Sequence, residues 1–132
     1  MRDYIVENNM EQYITMYGRD NNPYKWMANA SLFLFSSTSE GLGLVIIEAL
    51  ACGQIVVATD CPIGPREILA LNVECGLLVP TGSVNSMRDA IIRVLDPSFP
   101  RDIYRENAII RLKDFSHDIF KKNIEKLFNQ YE

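Results

Sequence analysis

Two short apolar runs, Leu32-Phe33-Leu34-Phe35 and Ile55-Val56-Val57-Ala58, constrain the fold most. Both are rich in bulky or branched residues, and neither alternates with polar ones, so both faces of each run must be covered. That is the pattern of a parallel sheet held between helices. Tyr13-Ile14-Thr15-Met16-Tyr17, ending at Gly18, and Gly76-Leu77-Leu78-Val79 are weaker strand candidates. Helices are expected between and after them. Asn22-Pro23 starts one over 24–30, with Pro at the first helical position, and Gly53 stops another over 44–52. Pro65 opens a short helix over 66–71, and Ser83 caps one that runs to Leu95 before Asp96-Pro97. Two more are expected over 102–113 and 116–129; in the last, Ile119, Phe120, Ile124, Leu127 and Phe128 form an apolar stripe at helical spacing. Strand and helix alternate. The fold class is therefore α/β: a Rossmann-like parallel sheet of about four strands flanked by helices, with helices at the C-terminus.

At 132 residues the chain is expected to form one domain with a real core. A net charge of −4 argues against nucleic-acid binding through a broad electrostatic footprint. It leaves room for a small anionic ligand, which needs only a local set of donors. Cys52, Cys61 and Cys75 are odd in number and lack CxxC spacing, which points to a reducing compartment and buried thiols, not to disulfides or zinc. The N-terminus has no hydrophobic signal core, and no apolar run approaches the ~20 residues of a membrane span. The expected location is the cytoplasm, with any membrane contact peripheral at its inner face.

Ligands of such sheets bind beyond the carboxyl ends of the strands. Here those ends lead into loops at 18–20, 36–43, 59–64 and 80–82, which should share one edge. The loop at 36–43 enters the run Leu42-Gly43-Leu44-Val45-Ile46-Ile47-Glu48-Ala49-Leu50-Ala51, in which Glu48 is the one polar side chain. A segment apolar all round reads as a helix buried on every face. A carboxylate there is costly unless paired, and no Lys, Arg or His lies within a helical turn of it. Its partner is either a group elsewhere in the fold, such as backbone or a neighbouring Tyr, or a ligand with hydroxyl donors. Gly41 and Gly43 let backbone amides at the helix start approach a ligand, and such amides favour phosphate. Glu40 precedes them. An acid one turn further in can accept from a vicinal diol. Sugar and phosphate would be read together, as in a nucleotide sugar. Arg66 lies on the same edge, where pairing with Glu67 or solvent competes with a phosphate. His117 beside Ser116 reads as a capping-region or surface residue, Trp26 and the tyrosines as packing groups, and Lys121-Lys122 as a solvated face.

The stretch from Ser39-Glu40-Gly41-Leu42-Gly43 through Glu48 to Gly53 resembles the E-x7-E segment of family 4 glycosyltransferases with the GT-B fold. The likeness continues through Ile55-Val56-Val57-Ala58-Thr59-Asp60 and Cys61-Pro62-Ile63-Gly64-Pro65-Arg66-Glu67-Ile68. That last stretch is similar to bacterial members that build cell-surface glycans, lipopolysaccharide among them. Asn22-Pro23-Tyr24 and Gly76-Leu77-Leu78-Val79-Pro80 fit flanking segments. The resemblance covers roughly residues 13 to 95 well and the terminal helices loosely. It implies transfer of a sugar from a nucleotide donor to a glycan or lipid-linked acceptor hydroxyl, usually with retention. Glu40 matches the glutamate expected at the donor-sugar hydroxyls and takes the catalytic role. Gly41, Leu42 and Gly43 match the turn facing sugar and distal phosphate, and Glu48 matches the acid that holds the ribose. Gly18 and Arg19 fall near the nucleobase, with Arg66 a possible phosphate neighbour. No metal or cofactor is implied.

A complete GT-B enzyme has two Rossmann-like domains, so residues 1–132 are expected to be part of the donor-binding C-terminal one. They lack counterparts of its first strands and of the Arg and Lys that grip the diphosphate. The expected sheet has exposed edges, which invite a homodimer or a partner chain. The chain alone is expected to be inactive. The alternative is a non-catalytic nucleotide-sugar-binding or interaction module with the same fold.

Overall fold

The branched run at 55–58 forms the middle of a three-stranded parallel sheet. β1 (Phe33–Phe35), β2 (Val56–Thr59) and β3 (Gly76–Val79) lie in that order. Phe33 stands opposite Val56, and Val56 opposite Gly76. The computed structural model describes residues 1–128. Around the sheet lie α1 (Arg2–Glu7), α2 (Tyr24–Asn29), α3 (Leu44–Ala51), α4 (Pro65–Leu69), α5 (Val84–Leu95), α6 (Arg101–Leu112) and α7 (His117–Phe128), with a 3₁₀ turn at Lys113–Phe115 before α7.

All four residues of β2 are buried, which explains why its sequence does not alternate. Val56 and Ala58 face Ile46, Ala49 and Leu50 of α3 and Ile68 and Leu69 of α4. Val57, with Ile55 just before the strand, faces Leu77, Val79 and, on α5, Ala90 and Val94. Each such fully buried Val, Ile or Leu is worth about 1.5–3 kcal/mol. Arg111 ties α6 to the end of α4: its Nε and Nη2 donate to the carbonyls of Ile68 (3.1 Å) and Glu67 (2.6 Å). These are carbonyls that a short helix leaves without partners of its own.

Helix ends follow the expected chemistry. Ser83 Oγ accepts from the Ser86 amide at the start of α5, and Gly53, with φ +77°, ends α3. Ser116 does the same for Ile119 at 3.4 Å. Most boundaries fall within one or two residues of those read from the sequence. Asn129 and the side chains of Leu127 and Phe128 lie outside the described residues.

Four expectations need correction. Residues 13–17 are not a strand: the Tyr13 and Ile14 amides both donate to the Met10 carbonyl, at 2.9 and 3.0 Å, continuing the turn that follows α1. No described strand pairs with them, and an apolar pattern without a ladder partner does not make a strand. The sheet therefore has three strands, and the loop at 18–20 does not leave a strand end. Second, α3 is not buried all round; Leu44 is 64% exposed and Glu48 is half-buried. Third, Cys61 and Cys75 are buried free thiols, but Cys52 is half-buried. Burial pushes the Cys75 thiol up to about 11 and keeps it protonated. Fourth, the stripe on α7 is not a core face: Phe120 is 65% exposed. Among the described residues no helix is long and apolar enough to cross a membrane.

β3 packs tightly at its first residue. A Cβ on Gly76 would lie 2.8 Å from Leu69 Cδ2 and 2.9 Å from the Val56 carbonyl oxygen. Gly76→Ala should therefore cost about 1–3 kcal/mol through overpacking, read as a lower urea midpoint at unchanged m-value.

Candidate functional site

Parallel pairing sends the chain out of β1, β2 and β3 in one direction, so the loops at 36–43, 60–64 and 80–82 share one edge. The loop after β1 is tied to the end of β2. Thr59, itself buried, donates its hydroxyl to the Ser37 carbonyl, with the Phe35 carbonyl 3.4 Å away. Ser37 Oγ in turn donates to the Ser39 carbonyl at 3.0 Å.

The loop ends in a glycine turn at the start of α3. Gly43 has φ +77° and ψ +49°, a left-handed conformation that a side chain disfavours, and its carbonyl accepts from the Ile46 amide at 2.8 Å. Gly41 is exposed, with nothing within 4 Å of where a Cβ would stand. That open space is on the loop carrying half-buried Glu40. The first amides of α3 have no acceptor within the helix, as at any helix start. Behind the turn lies Gly64 (φ +97°), whose missing Cβ would come within 2.3 Å of the Leu42 carbonyl oxygen. No other residue type could let the two loops approach this closely.

Glu48 sits on the second turn of α3. The nearest donor is the hydroxyl of Tyr24 on α2, 3.5 Å from Oε1, a contact at the limit of hydrogen bonding. The acid is therefore half-buried, only lightly engaged by the protein, and able to accept from a ligand. Its protein partner comes from a distant element, as the lack of a local cation required.

The segment at 18–22 is organised by Asp20. This carboxylate faces Lys25 Nζ at 2.8 Å and accepts from the Asn22 amide at 2.9 Å and Trp26 Nε1 at 2.8 Å. Those donors, the Lys25 ammonium foremost, hold its carboxyl well below the usual carboxylate range. Tyr17 packs on Trp26 with ring centroids 4.1 Å apart. Gly18 is left-handed (φ +72°) and Arg19 is exposed. Although not at a strand end, the segment is anchored to α2, the helix that reaches Glu48 through Tyr24.

Arg66 has a different partner from either expected one. Its guanidinium forks onto Asp60, with Nε 3.1 Å from Oδ1 and Nη2 on Oδ2. The pair closes the loop 60–64 across the start of α4. On the opposite face of the sheet from α3 lies a cavity of about 400 Å³, lined by Ser36, Thr59, Ser83, Met87 and Ile91 among others. Its walls are mainly apolar and carry no carboxylate, so neither Glu40 nor Glu48 lines it. Sequence reasoning offered a tyrosine as one partner for Glu48 without singling out Tyr24, and it missed the supports Thr59, Asp60 and Gly64. The signals were slight, a tyrosine after Asn22-Pro23 and a threonine closing an apolar run.

The chain belongs to the family described as glycosyl transferases group 1, whose family model matches residues 2–97. It is 41% identical over 111 residues to the Campylobacter jejuni N-acetylgalactosamine-N,N'-diacetylbacillosaminyl-diphospho-undecaprenol 4-alpha-N-acetylgalactosaminyltransferase, covering 84% of this chain and 30% of that one. A TarM mutant from S. aureus, solved with fondaparinux, alpha-GlcNAc-glycerol and UDP, superposes with a TM-score of 0.85 at 26% identity over 97% of this chain and 26% of its own. Anabaena HepE, solved with UDP-glucose, gives 0.78 at 25% identity over 98% of this chain and 35% of its own. The family and GT-B fold expected from the E-x7-E resemblance are thereby established. The chain spans about a third or less of the length of these relatives.

The Asp20 cluster generates a pH prediction. A carboxyl whose pKa is depressed on folding contributes above its unfolded value of about 3.9 and loses that contribution only as pH falls through the folded value. Emission from Trp26, the one tryptophan in the sequence, should therefore hold steady from pH 7 to about pH 4 and change only in stronger acid. Asp20→Asn should shift that emission at pH 7.

Proposed function

We propose that the chain is the donor-binding part of a retaining glycosyltransferase that moves a sugar from a nucleotide sugar to a glycan or lipid-linked acceptor hydroxyl in cell-surface polysaccharide synthesis. The observation that carries the reading is the glycine turn at the carboxyl edge of the sheet. It places Glu40 before α3, open space at Gly41, and a lightly engaged carboxylate at Glu48.

Glu48 accepts hydrogen bonds from the ribose hydroxyls, Tyr24 steadying it from behind. Amides around Gly41, Leu42 and Gly43 face the distal phosphate, where the positive end of a helix favours the charge that builds on a diphosphate leaving group. Glu40 contacts the donor-sugar hydroxyls and orients the anomeric carbon. Gly18 and Arg19 border the nucleobase. Stabilisation of the leaving group by fixed dipoles calls for neither a metal nor a cofactor in this reading. The acceptor is presented by further polypeptide, in line with relatives about three times as long, at the inner face of the cytoplasmic membrane.

One observation favours a second reading, a nucleotide-sugar-binding module without turnover: the guanidinium of Arg66 is committed to Asp60 and so is not free for a phosphate. Transfer on addition of an acceptor-presenting partner would exclude that reading.

Calorimetric titration with UDP, GDP and their sugar derivatives tests the proposal. Glu48→Ala should weaken the nucleoside diphosphate and the nucleotide sugar alike, by roughly 10- to 100-fold, the worth of a hydrogen bond to a charged group. Glu40→Gln should weaken only the nucleotide sugar. Binding indifferent to both substitutions, with the fold intact by circular dichroism, would refute the assignment.

A further inference from the structure

We propose that Thr59 and Gly64 are positioning residues, a brace from the end of β2 that holds the Glu40–Gly43 turn in its ligand-binding shape. The proposal rests on the donor-binding reading of that turn. Neither residue touches the open space beside Gly41; both act through backbone groups of the loop after β1.

The brace has two independent contacts. At the base of the loop, the buried Thr59 hydroxyl donates to the Ser37 carbonyl, three residues before Glu40. At its far end, the backbone of Gly64 lies directly against the Leu42 carbonyl, so close that even a methyl group would stand 2.3 Å from the oxygen. The turn is thus clamped on both sides of Glu40 and Gly41.

The platform behind the clamp is itself tied at several points. The Asp60 amide donates to the Val79 carbonyl at 2.8 Å, anchoring the start of the loop 60–64 to β3. The Asp60–Arg66 fork closes that loop onto α4, and Cys61 Sγ lies 3.7 Å from the Ile63 carbonyl inside it. Pro65, buried at the first turn of α4, fixes the exit. A loop tied at these points resists displacement. A side chain at Gly64 would move the glycine turn instead, and with it the amides and carboxylate that meet the ligand. Sites of this kind tolerate displacements of only about 0.5 Å.

The test compares Thr59→Ser, Thr59→Val and Gly64→Ala with wild type in two measurements. In the ligand-free protein, ¹⁵N order parameters of amides 40–44 should lie near the rigid value of about 0.85 in wild type and Thr59→Ser. They should fall below about 0.6 in Thr59→Val or Gly64→Ala, while those of α5 and α6 stay unchanged. UDP affinity should follow, preserved in Thr59→Ser and weakened about tenfold or more in the other two. The serine and valine pair decides the matter should Gly64→Ala fail to fold. Turn amides as rigid in Thr59→Val as in wild type would overturn the brace. A loosened turn with undiminished UDP affinity would overturn its positioning role. Wild-type protein that binds neither UDP nor GDP would instead bring down the donor-binding reading, and the order parameters alone would then show whether the clamp exists.

Discussion

Everything else in this molecule depends on a strand of four residues with no face to spare. β2 is buried on both sides, with α3 and α4 against Val56 and Ala58 and α5 against Val57. A strand so covered pairs in parallel with neighbours on either side, and parallel pairing sends all three strands out through the same edge. The loops of the candidate site meet there for that reason. Their convergence is a product of core packing rather than of any attraction between the loops.

Within that edge the chemistry is divided between what faces outward and what holds it. Gly41 and Leu44 at the start of α3 are exposed, and Glu40 beside them is half-buried. Thr59, Gly64 and the Asp60–Arg66 pair stand behind them and present backbone contacts or committed side chains. Glu48 belongs between these groups. Full burial would have demanded a strong partner or neutralisation. At half burial, with one distant tyrosine hydroxyl, the acid keeps its acceptor capacity for something else. The group 1 glycosyl transferase family supplies the chemical context in which such a site has a use.

Much of the fold was legible because the signals were local. Serine before the amphipathic α5, glycine after α3 and proline at α4 all mark ends through backbone chemistry that needs no tertiary context. The misreadings share a cause. Tyr13 to Tyr17 carries a strand-like composition, but composition cannot supply a ladder partner; Tyr13 and Ile14 turn onto the Met10 carbonyl instead, and the rest of the segment runs without regular structure. The apolar run of α3 looks suited to complete burial, yet Leu44 and Glu48 sit where the helix meets the open edge. Arg66 has an acid adjacent in sequence, and Asp60, six residues away, holds it because the loop folds back across the helix start.

By itself the sequence determined the layered α/β character, the elements from α2 onward and where the candidate glutamates stand among their glycines, since periodicity, caps and motif spacing are properties of neighbouring residues. Only the tertiary structure decided how many strands pair, how deeply Glu48 lies, and which residues stand behind the glycine turn. Those outcomes turn on contacts between segments such as Thr59 with Ser37 and Gly64 with Leu42. Contacts of that kind exist only once the core has brought distant parts of the chain to within a few ångströms, a distance that no local pattern encodes.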